Sequence, residues 1–503
     1  MNHLIRYINN VGSVFKFEKK FTSLKAKSIY LAPANPKSKA LSIALTEQNV
    51  EVLGFIDNLK IGDGIYNKPE ELKSYDYIVV AEGTYQKTIC QTLILRGFNA
   101  KTILVTQQDN FLVYNNNWLV RIKNSTINIC KYIVNFAITI IQKVTPTSKT
   151  IYYTEDFIDN NILVAWQYHG SVSKNEVLLV AKNLKPIRGN NLPILSADSL
   201  RGTLALIRAK CIIVDHEYNG ELFNAIRSKK PFIQLYHGLP YKFLAGNKHF
   251  KHIHDYAFIS SSAYFNEFIF PKLFSAKNYF TLGYPRNDVF FQTPAERCWI
   301  NTPETQKPQD IIKKTGPLWV YMPTFRDNGA FTMPFSLAEM QALCEKEHRS
   351  LILKFHPFVA KQVVQMFELE EVEVNVVALT GYPNIYLYPP RMNIYPWLAD
   401  AELLITDYSS VAFDFLFADK PMVFFQYDYD TYYQNRGAFT VPIEDFAAGP
   451  VVRSEEKLFS TLTQISKGGA DTDQNKRTKL LAKLNIRAEH ACPLLVTVTR
   501  EVK

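Results

Sequence analysis

Between residues 149 and 428 the chain repeats one pattern: a short apolar run closes on a polar or conformationally special residue. The runs are KTIYYT (149–154), KCIIVD (210–215), PFIQLYHG (231–238), LWVYMPT (318–324), SLILKFHP (350–357), LLITD (403–407) and PMVFFQYD (421–428). Short continuous apolar runs bounded by polar turns read as strands buried on both faces. The stretches between them are long enough for helical crossovers, and strand–helix alternation of this kind makes a parallel sheet. Ligands bind such sheets in the crevice outside the carboxyl ends of the strands. The pattern therefore predicts an α/β chain whose chemistry gathers where its strands stop.

The stretch TPETQKPQDIIKKTGP (302–317), rich in Pro, Thr and charge, reads as a boundary between two such sheets. Two Rossmann-like halves facing a cleft are predicted, over 148–305 and 306–503. A smaller Rossmann-like domain is predicted over 1–110, with strands at 28–33, 51–57, 75–82 and 100–106. The turn after its first strand, APANPKSKA, has no glycine where a dinucleotide-binding fold needs close approach to a pyrophosphate, so no dinucleotide is expected there. Residues 111–147 connect the two regions. Within them TINICKYIVNFAITIIQKV (126–144) is broken by Asn128, Lys131 and Asn135 and falls short of the roughly 20 apolar residues of a membrane span. Its apolar residues recur at helical spacing beside Arg121, Lys123, Lys131 and Lys143. It reads either as an interfacial helix lying on a membrane or as a packed linker helix.

Composition narrows the function classes. The chain is long enough for about three domains, and 47% hydrophobic with 21% charged residues exclude a disordered protein. Its six cysteines lack a CxxC pair or zinc spacing, which predicts reduced thiols in a cytosolic protein. The first residues, MNHLIRYINNVGSVFKFEKK, lack the apolar core of a secretory signal. The net charge of +10 suits an anionic partner. It is dispersed and no nucleic-acid motif accompanies it, so nucleic acid is not expected.

The strand ends carry the candidate chemistry. His237 and Gly238 follow an apolar run. A histidine there serves as a general base or only orders its loop. GYPRND supplies Arg286, Asn287 and Asp288, and PTFRD supplies Thr324, Arg326 and Asp327. Each arginine suits phosphate recognition through its planar fork, or an Arg–Asp pair. Lys354 and His356 stand two residues apart, on one side of a strand end. Asp407, Ser409 and Ser410 cap a helix or offer hydroxyls and free backbone N–H groups to a phosphate. Five such clusters, each closing an apolar run, are more than capping accounts for. His249, His252 and His254 lack a carboxylate–histidine pattern and read as a basic loop guiding an anionic acceptor rather than a metal site. Residues 473–492 read as one basic amphipathic helix.

In order, YHGLPYK, GYPRND, PTFRD, KFHP and ITDYSSVAFDF, followed by KPMVFFQYDYDTYYQNRGAF, resemble the CDP-glycerol glycerophosphotransferases, the teichoic-acid primases and polymerases. The resemblance covers roughly residues 200–455. Leu239, Phe325 and the position of Gly246 depart from the family's usual pattern, which bears on the acceptor and the alcohol. The resemblance implies a GT-B fold and transfer of glycerol phosphate from CDP-glycerol to a hydroxyl of a membrane-linked or polymeric glycan or polyol-phosphate acceptor, releasing CMP. It implies a cytoplasmic enzyme on the inner face of the cell membrane, without cofactor or metal, serving teichoic acid or capsule synthesis. A CDP-ribitol transferase, a nucleotide-sugar glycosyltransferase and a non-catalytic CDP-alcohol-binding protein are the alternatives. As for site residues, it implies His237 as base and His356 with Lys354 on the donor phosphates. Ser409 and Ser410 would hold the pyrophosphate, and Asp414 the glycerol or ribose hydroxyls. Arg286, Thr324 and Arg326 would complete the anion site. Gly238, Leu239, Pro240, Tyr241 and Phe355 would line the donor site, with Asp288 and Asp407 as further candidates.

Overall fold

The computed structural model describes residues 18–20, 27–47, 49–57, 64–81, 86–107, 110–113, 139–141, 149–155, 161–174, 176–182, 194–216, 221–227, 229–241, 254–297, 302–303, 307–326, 332–370, 372–436, 441–468 and 472–502. The chain forms two compact units, Met1–Val134 and Asn135–Lys503.

The first unit carries one seven-stranded sheet: β1 (Glu18–Lys20), β2 (Ser28–Ala32), β3 (Glu51–Ile56), β4 (Ile65–Tyr66), β5 (Tyr77–Val80), β6 (Ile103–Gln107) and β7 (Asn110–Val113), in the order β1-β7-β6-β5-β2-β3-β4. The pairings from β6 through β4 are parallel, and β7 and β1 add an antiparallel edge. The four strands predicted for this region correspond to β2, β3, β5 and β6. β7 lies inside the segment read from sequence as the start of the connection. Asn35 accepts from Ser38 N and caps the helix Pro36–Thr46 after the glycine-free turn. The predicted helix at 126–144 lies outside the described residues except for 139–141.

The second unit holds two further sheets. One contains β8 (Thr150–Thr154), β9 (Val177–Ala181), β10 (Ile194–Ser196), β11 (Cys211–Val214), β12 (Phe232–Gln234), β13 (His254–Ser260) and β14 (Ser275–Thr281), ordered β10-β9-β8-β11-β12-β13-β14 and parallel throughout. The other contains β15 (Leu318–Tyr321), β16 (Ser350–Leu353), β17 (Val377–Leu379), β18 (Tyr382–Leu387), β19 (Leu403–Thr406), β20 (Met422–Phe425) and β21 (Val451–Val452), ordered β17-β18-β16-β15-β19-β20-β21. Only β17 runs antiparallel. Every residue of β11, β12, β15, β16, β19 and β20 is buried, as strands covered on both faces require. In each sheet the winding direction reverses once, between β8 and β11 and between β15 and β19. Such switch points open a crevice at the strands' C-terminal ends.

The two lobes of this unit share a core. Tyr236, Leu239, Tyr241, Phe258 and Tyr284 from the first lobe cluster with Tyr395, Trp397, Phe413 and Phe415 from the second. The Tyr241 ring stacks on Phe413 at 4.3 Å, and its hydroxyl donates to Phe446 O at 2.6 Å. Such an aromatic pair contributes about 0.5–1.5 kcal/mol beyond the area it buries.

The C-terminal segment is two helices instead of the single one read over 473–492. Gln474–Leu484 ends at Asn485, which adopts the left-handed conformation (φ 45°), and Ala491–Glu501 follows. The first is anchored to the second lobe by the fully buried Arg477, whose Nε donates to Asp419 at 3.0 Å. The second packs on the first lobe, where Leu495, Val498 and Val502 enter the core beneath β8, β9 and β11. Among the described residues no helix is long and apolar enough to cross a membrane.

Candidate active site

β12 delivers the most constrained loop of the unit. Its last residue, the fully buried Gln234, accepts from Tyr236 N through Oε1 (2.9 Å) and donates from Nε2 to His216 O (3.1 Å). Tyr236 sits at φ +55°, a conformation that a bulky side chain adopts only when its surroundings dictate it. Asn161 Nδ2 holds its carbonyl at 3.1 Å. His237 and Gly238 follow, the glycine at φ +135°. A Cβ on Gly238 would stand 2.9 Å from Ser410 Oγ and 3.0 Å from Arg286 Nη2, so only glycine lets this loop meet the opposite lobe. The turn thus places Gly238, next to the half-buried His237, beside Ser410 after β19.

His237 packs against two rings. His216 stacks on one side at 4.7 Å and 13°, and Tyr236 tilts against it at 4.0 Å. His216 follows β11, and its Nδ1 lies 3.0 Å from Oδ1 of the buried Asp215. Sequence reasoning did not collect this pair. The signal was present in KCIIVD, whose closing Asp ends an apolar run like the others.

From the second lobe, Thr324 follows β15. Its backbone N donates to Asp407 Oδ1 at 2.8 Å, while its buried Oγ1 has no hydrogen-bond partner. His356 follows β16, half-buried, with its ring 4.7 Å from Phe325. Its carbonyl accepts from Val359 N and Ala360 N and so opens the helix Pro357–Met366. Ser409 and Ser410 follow β19, both half-buried. The helix after them is a single turn, Val411–Phe415, running into a 3-10 turn at Leu416–Ala418.

Several expected ligand groups are committed elsewhere. The Arg286 and Asp414 side chains are 2% and 1% exposed, and Arg286 Nη2 donates to Asp414 Oδ2 at 2.8 Å and to His237 O at 2.9 Å. Tyr395 OH and Asn287 Nδ2 complete the Asp414 shell at 2.7 and 2.8 Å. Arg286 and Asp414, expected on the anion and on the hydroxyls, thus pair with each other in a buried clamp between the lobes. Arg326 makes a paired contact to Asp428 (2.7 and 3.0 Å) and reaches Asp407 (2.8 Å), below the stacked rings of Tyr408 and Tyr432. Burial opposes its charge, but the two carboxylates outweigh that and push its pKa up. Asp407 is the buried acceptor of this bracket, not an open base.

Lys354 donates to the carbonyls of Pro389, Pro390 and Met392 at 2.8–3.0 Å, so all three protons of its ammonium are engaged by backbone oxygens. Burial pushes its pKa down to about 7. Asp288 caps the last helix, accepting from Ala491 N (2.6 Å) and Cys492 N (3.0 Å), and burial pushes its carboxyl upward against those two donors. Leu239, Tyr241 and Phe355, expected to line the donor site, are buried in the hydrophobic cores. Of the expected residues, His237, Gly238, Pro240, Thr324, His356, Ser409 and Ser410 remain at the facing sheet edges. Asp327, His249 and His252 lie outside the described residues.

The sequence profile of a family described as CDP-Glycerol:Poly(glycerophosphate) glycerophosphotransferase matches residues 142–486. A teichoic acid glycerol-phosphate transferase of Staphylococcus aureus is 24% identical over 377 residues, which cover 68% of this chain and 90% of that protein. A teichoic acid poly(glycerol phosphate) polymerase of Bacillus subtilis is 27% identical, over 56% of this chain. A teichoic acid poly(ribitol-phosphate) polymerase of Bacillus spizizenii is 28% identical, over 37% of this chain. The chain spans only 38% and 28% of the length of those two polymerases. Among solved structures, the wall teichoic acid polymerase TagF superimposes with a TM-score of 0.59 at 18% identity, over 76% of this chain and 96% of that one. The likeness shows the fold, a GT-B-like pair of Rossmann-like lobes.

Proposed function

The chain belongs to the CDP-glycerol:poly(glycerophosphate) glycerophosphotransferase family, and from that premise we propose that it moves glycerol phosphate from CDP-glycerol to a hydroxyl of a polymeric polyol-phosphate or lipid-linked glycan acceptor, releasing CMP. The observation that carries this reading is the contact of the His237–Gly238 turn with Ser410 across the two lobes. It brings a proton acceptor from one lobe to the strand ends of the other. His237 takes the proton of the acceptor hydroxyl as the acceptor oxygen attacks the glycerol-bearing phosphorus. The bond from that phosphorus to the CMP oxygen breaks, and CMP leaves with the electron pair. His356, the first turn of Pro357–Met366 and the hydroxyls of Thr324, Ser409 and Ser410 face the growing negative charge. Phosphoryl transfer asks mainly for positioning and charge stabilisation. The net charge of +10 suits an anionic acceptor. We extend the proposal to peripheral association with the inner face of an anionic membrane.

The test separates transfer from donor binding. His237→Ala should lower transfer about 10²- to 10⁴-fold, the usual share of a positioned base. CDP-glycerol affinity should change far less. His237→Gln should not rescue, because an amide cannot take the proton. Equal loss of affinity and rate in both variants would make His237 a donor-binding group and remove it as the base. Running CDP-ribitol and UDP-sugars beside CDP-glycerol identifies the donor; preference for either would overturn the glycerol assignment.

A further inference from the structure

We infer that His216 is a positioning residue for the transfer step, fixing the plane of the His237 imidazole through a ring stack that Asp215 and Gln234 brace. The inference rests on the reading of His237 as the base. His237 packs against His216 at 4.7 Å and 13° and against Tyr236 at 4.0 Å and 36°. An imidazole on an exposed loop turns freely about its side-chain torsions. One packed against two rings keeps its nitrogens on one line.

The bracing is specific. Asp215, 2% exposed, lies 3.0 Å from His216 Nδ1 and restrains that ring. Gln234 ties the two loops together, with one amide atom on His216 O and the other on Tyr236 N. On the far side Arg286 Nη2, neutralised by Asp414, holds the His237 carbonyl. Backbone and ring are thus held by separate groups, and Asp215, Gln234 and His216 have no other place in the reaction as written. A base must keep its nitrogen within hydrogen-bond reach of the hydroxyl it deprotonates. A displacement of about 1 Å at a reacting group is worth about 10²-fold in rate.

The experiment uses the full chain with ¹³C-labelled histidine, the His237 ring signals being assigned by their loss in His237→Gln. His216→Ala should shift those signals as the ring current of the stack disappears. It should also lower kcat about 10- to 100-fold while the KM for CDP-glycerol stays nearly constant. A second variant, Asp215→Asn with His216→Phe, keeps a flat ring without stranding a buried carboxylate. It should restore kcat to within a few-fold of the wild type. Unchanged His237 signals in a folded His216→Ala protein would overturn the stack. An unchanged kcat in that protein, or a Phe variant as slow as the Ala variant, would overturn the positioning role. If the wild type transfers nothing from CDP-glycerol, the proposed function fails, and the ring signals still decide the stack.

Discussion

Replacing Asp414 with asparagine separates two accounts of that residue. Three donors converge on its carboxylate: Arg286 Nη2 and Tyr395 OH on Oδ2, Asn287 Nδ2 on Oδ1. An asparagine has one oxygen. Turned one way, its NH₂ faces the Asn287 amide donor; turned the other, it faces Arg286 and Tyr395. Either way a donor meets a donor, and a guanidinium 2% exposed loses its counter-charge. Breaking one side of such a buried pair costs about 3–5 kcal/mol. Asp414→Asn should therefore lower the urea midpoint, read by fluorescence of the buried Trp319 and Trp397. Replacing the pair together, Arg286→Met with Asp414→Leu, should recover much of the loss, with a coupling energy of about 2–3 kcal/mol. The reasoning fails if Asp414→Asn keeps full stability, or if the two single changes simply add. Undiminished stability with abolished CDP-glycerol binding would make Asp414 the ligand group that the family resemblance implied.

Gly238→Ala should destabilise the lobe contact by about 1–3 kcal/mol, through the strained φ and the overlap with Ser410. Chemical denaturation checks this, and Ser410→Ala added to it should rescue only partly, because Arg286 Nη2 still stands 3.0 Å away. Lys354 predicts a pH dependence. Its folded-state pKa of about 7 lies below the ordinary 10.5, so the unfolded chain binds the extra proton between those values. Wild type should gain stability relative to Lys354→Met as pH rises from 7 to 10.5. Denaturation midpoints of both proteins at pH 7 and pH 10 test the sign.

The parallel sheets were legible because their strands are buried on both faces. LLIT and SLIL can scarcely be anything else between polar turns. β14 was not, since SAKNYFT is part-exposed on a sheet edge and carries no apolar run. β18, YPNIYL, hides behind a proline. Among candidate site residues, His237 and Gly238 stand out in the sequence because they follow an apolar strand directly, and the structure keeps them at that strand end. Arg286, Arg326 and Lys354 read as equally functional, and the structure pairs all three with groups of the protein. A cation at a strand end reads the same whether it awaits a phosphate or is already satisfied. The satisfying partners, Asp414, Asp428 and the carbonyls of 389–392, lie 35 to 128 residues away. His216 was missed for the opposite reason: its significance is a ring face, and only the fold supplies the second ring.

The two C-terminal helices mean that the chain passes between the lobes twice, once after the 3-10 helix Pro285–Phe291 and again between Asn485 and His490. A single crossing acts as a swivel, leaving bend and twist both available. Two crossings act as the two pins of a door. Backbone bonds donated by Ala263 N to Asn485 O and by Arg487 N to Ser261 O fasten the second pin to the first lobe. The two crossings run close together, the Phe291 ring 5.5 Å from that of His490, so opening about them leaves both connections in place.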